Sequence, residues 1–445
     1  MKSIASATEK YKSLILEAER FIWQHPETGY RERKTSLYLE NAFEKLGYTV
    51  VRQKDIPGFH TCIDTGKKGP EILILAELDS VICHTHKEAD AITGAVHACG
   101  HHAQCAALLG IAAALTEKNI LGNLCGKIRL AAVPAEELIE LDDRRKLKEE
   151  GTIKYNSGKT EFLSRGCFDG VQMALMVHTS SAFAVNRGAV GCLVKRVTYK
   201  GRAAHAGGAP EDGINALYAA NCGISAINAI RETFKEKELI RVHPIITKGG
   251  EAVNAIPDSV CLEAYVRGVD FDAIKRANQK VNRALIGGAL SIGANIDICD
   301  IHGYTPLQND SGMMRLASDA AVLALPDTRL YFDEQGITSG STDMGDLSCL
   351  MPVIHAFAGG AAGTVHGSDY QIIDASAACV ASARWQLAML HLLLKDDAAR
   401  AKKIIADFHP LFESKQAFLA YLDSLHASGN RIVYHENQVA EVHLN

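Results

Sequence analysis

The sequence contains no block of basic residues, no internal repeat and no low-complexity segment. Its 445 residues carry 47 Lys and Arg against 52 Asp and Glu, which gives a net charge of −5. Because nucleic acids and anionic membranes attract clustered positive charge, neither is an expected partner. Hydrophobic residues make up 47% of the chain, a globular composition that excludes a largely disordered protein. We therefore expect a small molecule as the partner.

Long apolar runs are also absent. Residues 1–19 are interrupted by charges such as Lys2, Glu9 and Lys12, and no run approaches the roughly 18 apolar residues of a membrane helix. We therefore expect neither a signal peptide nor a membrane span, and a cytoplasmic location. The 12 cysteines show no ladder of fixed spacings, so we expect reduced packing thiols, with Cys99 as the exception.

Short apolar runs alternate with helical stretches over most of the chain. The runs are 71–76, 127–133, 173–177 and 352–357, and helices are expected at 101–116 and 374–394. Strands alternating with helices, and apolar throughout, are typical of a parallel sheet buried on both faces. We predict a doubly wound α/β domain made of residues 1–186 and 305–395.

The pattern of apolar and polar residues changes between these two segments of the chain. Residues 192–198 and 259–266 alternate apolar and polar side chains, and helices are expected at 213–232 and 272–286. Two helices on one face of a mostly antiparallel sheet form an α+β layout. Residues 187–304 are therefore predicted to be an inserted α+β domain, and residues 396–445 a charged, helical C-terminal extension.

Polar residues follow each of the four predicted strands. They are Glu77-Leu78-Asp79, Pro134-Ala135-Glu136-Glu137, His178 and, beyond a glycine-rich segment, His366. Open α/β sheets bind ligands at the carboxyl ends of their strands. One such residue would be unremarkable, but the set predicts a site at this edge of the sheet.

A thiolate and an imidazole lie two residues apart at the start of the helix at 101–116. Cys99 and His101 flank Gly100, so both side chains can reach one metal ion, and the helix N-terminus favours an anionic sulfur. Alone, this pair is more typical of a buried cysteine and a surface histidine. Together with the strand-end residues, it favours a metal site.

The residue types indicate the class of metal. Imidazole, thiolate and carboxylate suit zinc, manganese, cobalt or iron better than calcium or magnesium. Five or more candidate ligands exceed the four of a closed structural zinc site, so we expect two metal ions with an open position for water. Of the adjacent Glu136 and Glu137, one can bind metal while the other handles a proton.

The chain resembles the group of aminoacylases, indole-acetyl-amino-acid amidohydrolases and aminobenzoyl-glutamate hydrolases of the clan MH di-metal peptidases, over residues 8–395. The matching motifs occur in family order: His25-Pro26-Glu27-Thr28-Gly29, Glu77-Leu78-Asp79, His97-Ala98-Cys99-Gly100-His101, Pro134-Ala135-Glu136-Glu137, His178, Gly201-Arg202-Ala203-Ala204-His205-Ala206, Asn254-Ala255-Ile256-Pro257-Asp258, Gly340-Ser341-Thr342-Asp343 and His366.

The resemblance implies a role for each matching residue. Glu136 would be the general base of a hydrolase that cleaves the amide bond of an N-acyl or N-aroyl amino acid or a dipeptide-like substrate. Asp79 would orient a ligand, His205 in the lid would stabilise the oxyanion, and Asn254 and Arg267 would contact substrate. Two divalent transition-metal ions, zinc or manganese with cobalt or iron as alternatives, would be held by Cys99, His101, Glu137, His178 and His366.

The resemblance also implies a homodimer formed through the lid, residues 187–304, in which His205 reaches an active site, commonly that of the partner subunit. Two positions depart from the family pattern. His102 replaces the usual aspartate after Cys-Gly-His, and Gln104 replaces a frequent histidine. The family's Asp-Ala-Leu-Pro is also changed, to Asp79-Ser80-Val81-Ile82, so the pocket around the ligands is expected to differ.

Three other hypotheses stay open from the sequence. The chain could be a di-metal aminohydrolase that releases ammonia from an unusual aromatic amine. It could be a metal-free hydrolase with Cys99 as nucleophile and His101 or His178 as base, although this leaves Glu136 and Glu137 without a role. It could also be a catalytically inactive member of the family that binds a metabolite.

Overall fold

The computed structural model describes residues 1–435 and 440–444, which form two compact units. The first unit contains Met1–Gly188, Gln308–Ile337 and Asp346–Lys415, and the second contains Ala189–Leu307, Thr338–Gly345 and the described part of Gln416–Asn445. The inserted domain predicted at 187–304 is the body of the second unit. Two later segments of the chain join it.

The elements follow one another along the described chain. The helices are α1 (Lys2–Lys10), α2 (Lys12–Trp23), α3 (Arg33–Lys45), α4 (His101–Leu115), α5 (Lys118–Leu121), α6 (Leu141–Glu149), α7 (Gly158–Ser164), α8 (Ala216–Ala229), α9 (Phe271–Ile292), α10 (Ser311–Ala324), α11 (Met344–Ser348), α12 (Ser382–Leu394), α13 (Ala399–Asp407) and α14 (Lys415–Ser424). The strands are β1 (Val51–Arg52), β2 (Phe59–Asp64), β3 (Glu71–Glu77), β4 (Val81–Ile82), β5 (Ala95–Val96), β6 (Lys127–Val133), β7 (Met173–Thr179), β8 (Phe183–Ala189), β9 (Gly191–Lys200), β10 (Arg241–Lys248), β11 (Ser259–Gly268), β12 (Asn295–Tyr304), β13 (Leu307–Gln308), β14 (Leu330–Thr338), β15 (Val353–Ala358), β16 (Ala361–Ala362), β17 (Gln371–Ile372), β18 (Ile432–Tyr434) and β19 (Ala440–Val442).

A sheet forms the centre of the first unit. Its strands run in the order β1-β2-β6-β3-β7-β15-β8, and the four central strands β6, β3, β7 and β15 are parallel. These four are the strands predicted from the apolar runs. All seven residues of β3 are buried, as a strand covered on both faces requires. The α/β class predicted for this part of the chain is confirmed.

Helix α4 packs on this sheet and is buried along its whole length. Its fifteen residues, His101 to Leu115, are mostly small or apolar and are all buried. Its packing partners include α2, β3 and the segment Ser376–Leu394. That last segment is apolar and long enough to cross a membrane, but 78% of its apolar window is buried within the protein. It is therefore a core helix of the first unit, beginning with a π-helical turn at Ser376–Ala381.

The second unit is built on a four-stranded antiparallel sheet in the order β10-β11-β9-β12. Buried and partly buried residues alternate along most of β11 and β12, which is the pattern of a sheet with one face more covered than the other. Helices α8 and α9 pack closely against each other, because a Cβ on Gly288 would lie 2.4 Å from the backbone nitrogen of Gly223. The predicted α+β layout is confirmed.

The C-terminal segment differs from the helical extension predicted for residues 396–445. After α13 and α14 the chain becomes extended, and β18 pairs with β19. Residues 427–431 lie along β12, with the backbone nitrogen of Asp300 donating to the Ala427 carbonyl at 2.7 Å and that of Arg431 to the Ile296 carbonyl at 2.9 Å. Ile432 is fully buried in the core of the second unit. Pairing with an edge strand and burial of Ile432 explain why this segment is not helical.

Candidate active site

The carboxyl ends of three neighbouring parallel strands supply most of the predicted site. Strand β3 ends at Glu77 and leads to Asp79, β6 leads to Glu136 and Glu137, and β7 carries His178 as its penultimate residue. Because these strands lie side by side and point the same way, their ends meet at one edge of the sheet. The strand pairing thus gathers carboxylates and an imidazole from distant parts of the sequence.

A constrained turn directs the two glutamates that follow β6. Ala135 has a φ of 55°, in the left-handed region that side chains other than glycine rarely adopt. Its backbone N–H donates to buried Glu32 Oε1 at 2.7 Å, and its carbonyl accepts from the backbone N–H of Gly158 at 3.2 Å. A Cβ at Gly158 would meet the Pro134 carbonyl oxygen at 1.6 Å, so only glycine fits there. These contacts hold Glu136 and Glu137 in place.

Cys99 and His101 flank Gly100, the N-cap residue of α4. Gly100 has a φ of 103°, which a glycine adopts without strain, and its conformation turns the chain into the helix. On the other side of the site, the backbone N–H of His366 donates to the Ala98 carbonyl at 2.8 Å. His366 is itself in the left-handed region, with a φ of 64°. The two loops that carry Cys99 and His366 are therefore linked directly.

The predicted metal ligands form overlapping groups in which all the potential ligand atoms lie within 4.8 Å of one another. One group contains Cys99, His101 and His178, and a second contains Cys99, Glu137 and His366. Glu136 joins His101 and Glu137 in a third. The structure thus brings together all five predicted ligands and the predicted base. Because Cys99 belongs to two groups, its thiolate is placed where a bridging ligand would be needed.

Hydrogen bonds orient the two ring nitrogens that face this cluster. His101 Nδ1 lies 2.9 Å from the Asp79 carbonyl oxygen and 3.1 Å from Asp79 Oδ1, while Asp79 Oδ2 accepts from the Glu137 backbone N–H at 2.8 Å. His178 Nδ1 donates to the Thr179 carbonyl at 2.8 Å. Both rings therefore present Nε2 to the cluster, which is how histidine ligands are usually fixed. Asp79 has the geometry of the orienting residue that the sequence predicts.

The charges of the cluster favour its metal-binding forms. Burial opposes ionisation of the Cys99 thiol, but the imidazoles of His101 and His178 outweigh burial and lower its pKa to about 6. Burial also opposes ionisation of Glu137, and its hydrogen bond with His366 nevertheless lowers the pKa of that carboxyl to about 2. A thiolate and a carboxylate are therefore available at neutral pH, as metal ligation requires.

The donor set fits divalent transition metals. Buried His101 Nε2 lies 3.3 Å from Glu77 Oε2, yet it makes no hydrogen bond of acceptable geometry with any described residue. Such an atom is costly to bury unless something binds it. Its neighbours Cys99 and His178 offer soft and borderline ligands, Sγ and Nε2 being 3.5 Å apart. Divalent metal ions held by Cys99, His101 and His178 on one side and by Cys99, Glu137 and His366 on the other would satisfy these groups.

A buried ion pair behind the ligands was not predicted from the sequence. Lys159 Nζ, at the start of α7, donates to Glu77 Oε1, and both side chains are almost fully buried. Burial opposes ionisation of Glu77, but Lys159 and His101 lower its pKa below the ordinary value. The sequence places Glu77 at a strand end but predicts no role for it. Lys159 lies in a loop-to-helix segment whose sequence carries no signal of a site.

The two departures from the family pattern have separate structural roles. Gln104 Nε2 donates to Glu77 Oε2 at 2.7 Å, so it completes the environment of that buried carboxylate. His102 belongs to none of the ligand groups. Its Nε2 lies 3.3 Å from Glu19 Oε1, and its ring packs edge-on against Trp23. His102 therefore supports the packing of α2 on α4.

Three predicted site residues, His205, Asn254 and Arg267, belong to the second unit. His205 is exposed, and its Nδ1 accepts from the backbone N–H of Gly208 at 2.9 Å, which leaves Nε2 as a hydrogen-bond donor. The Asn254 carbonyl accepts from the backbone N–H of Ala206 at 3.0 Å, so His205 and Asn254 lie on adjacent loops.

The guanidinium of Arg267 lies over the Tyr265 ring and contacts Ser339 and Ser341. The family motif at 340–343 therefore lies beside Arg267. The roles assigned to these second-unit residues stay predictions.

Comparisons with known proteins agree with this architecture. The peptidase dimerisation domain family M20_dimer matches residues 185–289. The chain is 28% identical to a Xaa-Arg dipeptidase of Mus musculus, over 76% of this chain and 74% of that one. It is also 28% identical to an N-acetyl-L-cysteine deacetylase of Bacillus subtilis, over 69% and 72% of the two chains.

A solved structure shows the same fold. It is a dinuclear metal-binding peptidase of the M20 family from Bacillus subtilis, with a TM-score of 0.63 and 20% sequence identity. The match covers 87% of this chain and 99% of that one. The two-unit arrangement of an α/β domain with an inserted α+β domain is therefore an M20 peptidase fold.

Proposed function

We propose that this chain, a member of the M20 family of metal-dependent peptidases and amidohydrolases, acts on an N-acyl or N-aroyl amino acid or a related dipeptide. The chain is a hydrolase of amide C–N bonds. Its similarity to a dipeptidase and to a deacetylase of an N-acylated amino acid supports this substrate class. The names of both relatives denote enzymes that cleave an amide bond to an amino acid.

One observation carries the proposal: Glu136 lies beside ligand groups that share Cys99. The carboxylate of Glu136 is within 4.8 Å of ligand atoms of His101 and Glu137, and the side chain is largely buried. A general base must be within reach of the proton that it takes, and it must not itself be consumed as a ligand. Glu137, which pairs with His366 at 3.0 Å, fills the ligand role and leaves Glu136 for the proton.

We assign the steps to the chain's own residues. When bound, two divalent metal ions supply Lewis acidity, which polarises the amide carbonyl and lowers the pKa of water. Glu136 takes a proton from the attacking water and passes it to the leaving nitrogen. His205 Nε2–H donates to the developing oxyanion, and Asp79 keeps His101 in its ligand orientation. Asn254 and Arg267 hold the substrate.

The metals proposed are zinc or manganese, with cobalt or iron as alternatives. Thiolate and imidazole ligands favour zinc and its neighbours, whereas Glu137 adds the carboxylate oxygens that manganese accepts. The ligand types support transition metals over calcium or magnesium. Metal content measured on the purified chain decides among them.

We propose a homodimer formed through the second unit. The matched family is a dimerisation domain, and β10 is the edge strand of the sheet that no described segment covers. Ile245 on this strand is 61% exposed, and Tyr218 on α8 is 62% exposed. The opposite edge, β12, is paired with residues 427–431. An open edge with exposed apolar side chains suits pairing with a second copy.

We also propose a cytoplasmic location, because all 12 cysteines are thiols rather than halves of disulfides, and a reducing compartment keeps thiols in this form.

A substrate panel tests the function. N-acetyl and N-benzoyl amino acids, dipeptides and aminobenzoyl-glutamate are incubated with the chain, and release of the free amino acid is measured. We expect turnover of at least one N-acyl amino acid or dipeptide, and a loss of about 10²- to 10⁴-fold in Glu136→Gln at unchanged metal content. Glu150→Gln, a change at an exposed residue of α6's end, is the matched control and should keep the wild-type rate.

Other outcomes separate the alternatives. Ammonia released from an aromatic amine without amide cleavage would support a di-metal aminohydrolase. Full metal loading without turnover on the whole panel would support a metabolite-binding member. Activity that survives complete metal removal and is abolished in Cys99→Ala would support a cysteine hydrolase. A wild-type rate in Glu136→Gln would refute the assigned base.

A further inference from the structure

A buried arginine lies behind the turn that carries Glu136 and Glu137. Arg144, on α6, is only 2% exposed, and its Nη2 donates to the main-chain carbonyl of Glu137. Its Nη1 donates to the main-chain carbonyl of Asn156 at 2.6 Å, on the segment that leads into α7. One guanidinium thus joins two segments of main chain, one before α6 and one after it.

The terminal nitrogens of Arg144 bind carbonyl oxygens, whereas a buried guanidinium usually pairs with a carboxylate. Its Cζ lies over the Tyr30 ring, 5.7 Å from the centroid. Burial and the charge of Asp79 raise the pKa of the nearby Glu32 carboxyl, and Arg144 only partly offsets them. Glu32 Oε2 receives no hydrogen bond from any described residue. The hydrogen bonds of Arg144 therefore serve to fix main chain, and the main chain that they fix carries a predicted metal ligand.

The turn between β6 and α6 has a backbone that requires support. Ala135 and Glu140, on either side of the glutamate pair, have φ values of 55° and 53°, in the left-handed region that is costly for residues other than glycine. Residues in this region keep their conformation only where surrounding contacts fix it. Glu32 fixes the start of the turn through the Ala135 N–H, and Arg144 fixes its centre through the Glu137 carbonyl.

The main chain of Glu137 is held at both of its peptide groups. Its N–H donates to Asp79 Oδ2 at 2.8 Å, and its carbonyl accepts from Arg144 and, at 3.0 Å, from the Ile139 N–H. Its side chain lies 3.0 Å from His366 Nε2 and belongs with it to the second ligand group. Metal–ligand distances vary by only about 0.2 Å, so a small shift of this main chain would displace the Glu137 carboxylate as a ligand.

Gly29 makes room for Arg144 beside the turn. A Cβ on Gly29 would lie 2.6 Å from Arg144 Nη2 and 3.0 Å from the Cα of Ala135. The first of these distances is shorter than side-chain packing allows, so a larger residue would push the guanidinium away. The motif at residues 25–29 supplies none of the predicted ligands. Its glycine supports the ligand turn by letting the arginine and the turn pack closely.

We propose that Arg144 is a positioning residue that holds Glu137 in place as a metal ligand. Loss of its guanidinium should weaken binding of the metal ion held by Cys99, Glu137 and His366. The ion held by the first ligand group should be little affected, because that group does not contain Glu137. Removing a residue that supports a ligand typically weakens metal binding by about 10- to 100-fold. The proposal rests on the proposed two-metal site and is independent of the proposed substrate class.

Zinc binding to the metal-free full chain is the readout, because it requires no substrate. Zinc is titrated in competition with a chelating indicator, and bound zinc per chain is checked by mass spectrometry of the metals. We expect two zinc ions on the wild type. In Arg144→Met, one of the two dissociation constants should rise by about 10- to 100-fold and the other by less than about threefold. Arg144→Lys keeps the charge but lacks the fork that reaches two carbonyls, so its affinity should lie between those of the wild type and Arg144→Met.

Two further variants separate positioning from folding. Arg145→Met, at the neighbouring exposed arginine that pairs with Glu149 at 2.6 Å, is the matched control and should bind both ions as the wild type does. Gly29→Ala, which displaces the Arg144 guanidinium without removing it, should also weaken one ion, and it serves as the test if Arg144→Met does not fold.

Wild-type affinity for both ions in Arg144→Met and Gly29→Ala would overturn the proposal. An equal loss of both ions would also overturn it, because it would indicate a general structural role. A wild type that binds fewer than two zinc ions would overturn it together with the two-metal site. Absence of turnover on the substrate panel would count against the proposed function alone, since zinc binding is measured without substrate.

Discussion

Replacing Lys159 by methionine tests whether the buried ion pair with Glu77 supports the ligand cluster. The substitution conserves the apolar stem and removes the charge, leaving the Glu77 carboxylate almost fully buried with Gln104 as a remaining hydrogen-bond donor at 2.7 Å. Breaking a buried pair from one side costs about 3–5 kcal/mol. At roughly 2 °C for each kcal/mol, the melting midpoint of the first unit should fall by about 6–10 °C.

The assay is thermal unfolding at fixed metal content, since bound metal itself stabilises the folded chain. Lys118→Met, an exposed lysine on α5, is the matched control and should leave the midpoint within about 1 °C. The double variant Lys159→Met/Glu77→Met should recover most of the lost stability, because both charges of the buried pair are removed together. If Lys159→Met alone is as stable as the wild type, the ion pair with Glu77 does not stabilise the first unit.

The loss of stability in Lys159→Met should also depend on pH. In the wild type the pKa of Glu77 lies below its ordinary value, so its ionised form contributes stability above the unfolded pKa of about 4.3, and that contribution is lost as the pH falls. Without Lys159, the Glu77 carboxylate can be protonated at a higher pH, and protonation removes its buried negative charge. The difference in melting midpoint between the wild type and Lys159→Met should therefore become smaller from pH 7 toward about pH 4. A gap that widens on acidification would contradict this assignment.

Three further predictions concern metal binding, the lid and the dimer. Cys99→Ser should lower the metal content per chain, measured by mass spectrometry of the metals, because a hydroxyl is a much weaker ligand than a thiolate; full loading would remove Cys99 from the site. His205→Ala should lower turnover by about 10²- to 10³-fold at constant metal content, as loss of an oxyanion donor does, and an unchanged rate would exclude His205 from catalysis. Ile246→Lys on β10, where the side chain is 40% exposed, should shift the chain toward monomers in light scattering. Val322→Lys, on an exposed face of the first unit, is its control, and a dimer that survives Ile246→Lys would refute the β10 interface.

The fold of the first unit could be predicted because its strands carry strong local signals. The segments around Ile72, Ile128, Leu175 and Ile354 are short and apolar throughout, and each became a parallel strand. The site followed from them, because a polar residue after each strand must lie at the same edge. The metal-ligand groups that contain Cys99 could also be predicted, since its thiolate and the His101 imidazole are two residues apart in the sequence.

Other features lacked such local signals. Lys159 comes to Glu77 from 82 positions away, in a segment without periodicity, so only the tertiary structure shows the pair. The C-terminal segment is predicted to be helical, but residues 427–431 pair with the edge strand β12, whose availability the sequence does not reveal. Long-range pairing overrode local propensity at that edge.

Whether turnover requires bound metal ions decides between metal-dependent and metal-free hydrolysis by this chain. The purified chain is analysed for bound metal, stripped with a chelator, assayed on the best N-acyl amino acid or dipeptide of the panel, and then reloaded with zinc or manganese. We expect two divalent metal ions per chain, loss of activity on stripping, and recovery of activity on reloading. Full turnover by metal-free chain would contradict this expectation and would shift the chemistry to the Cys99 thiolate.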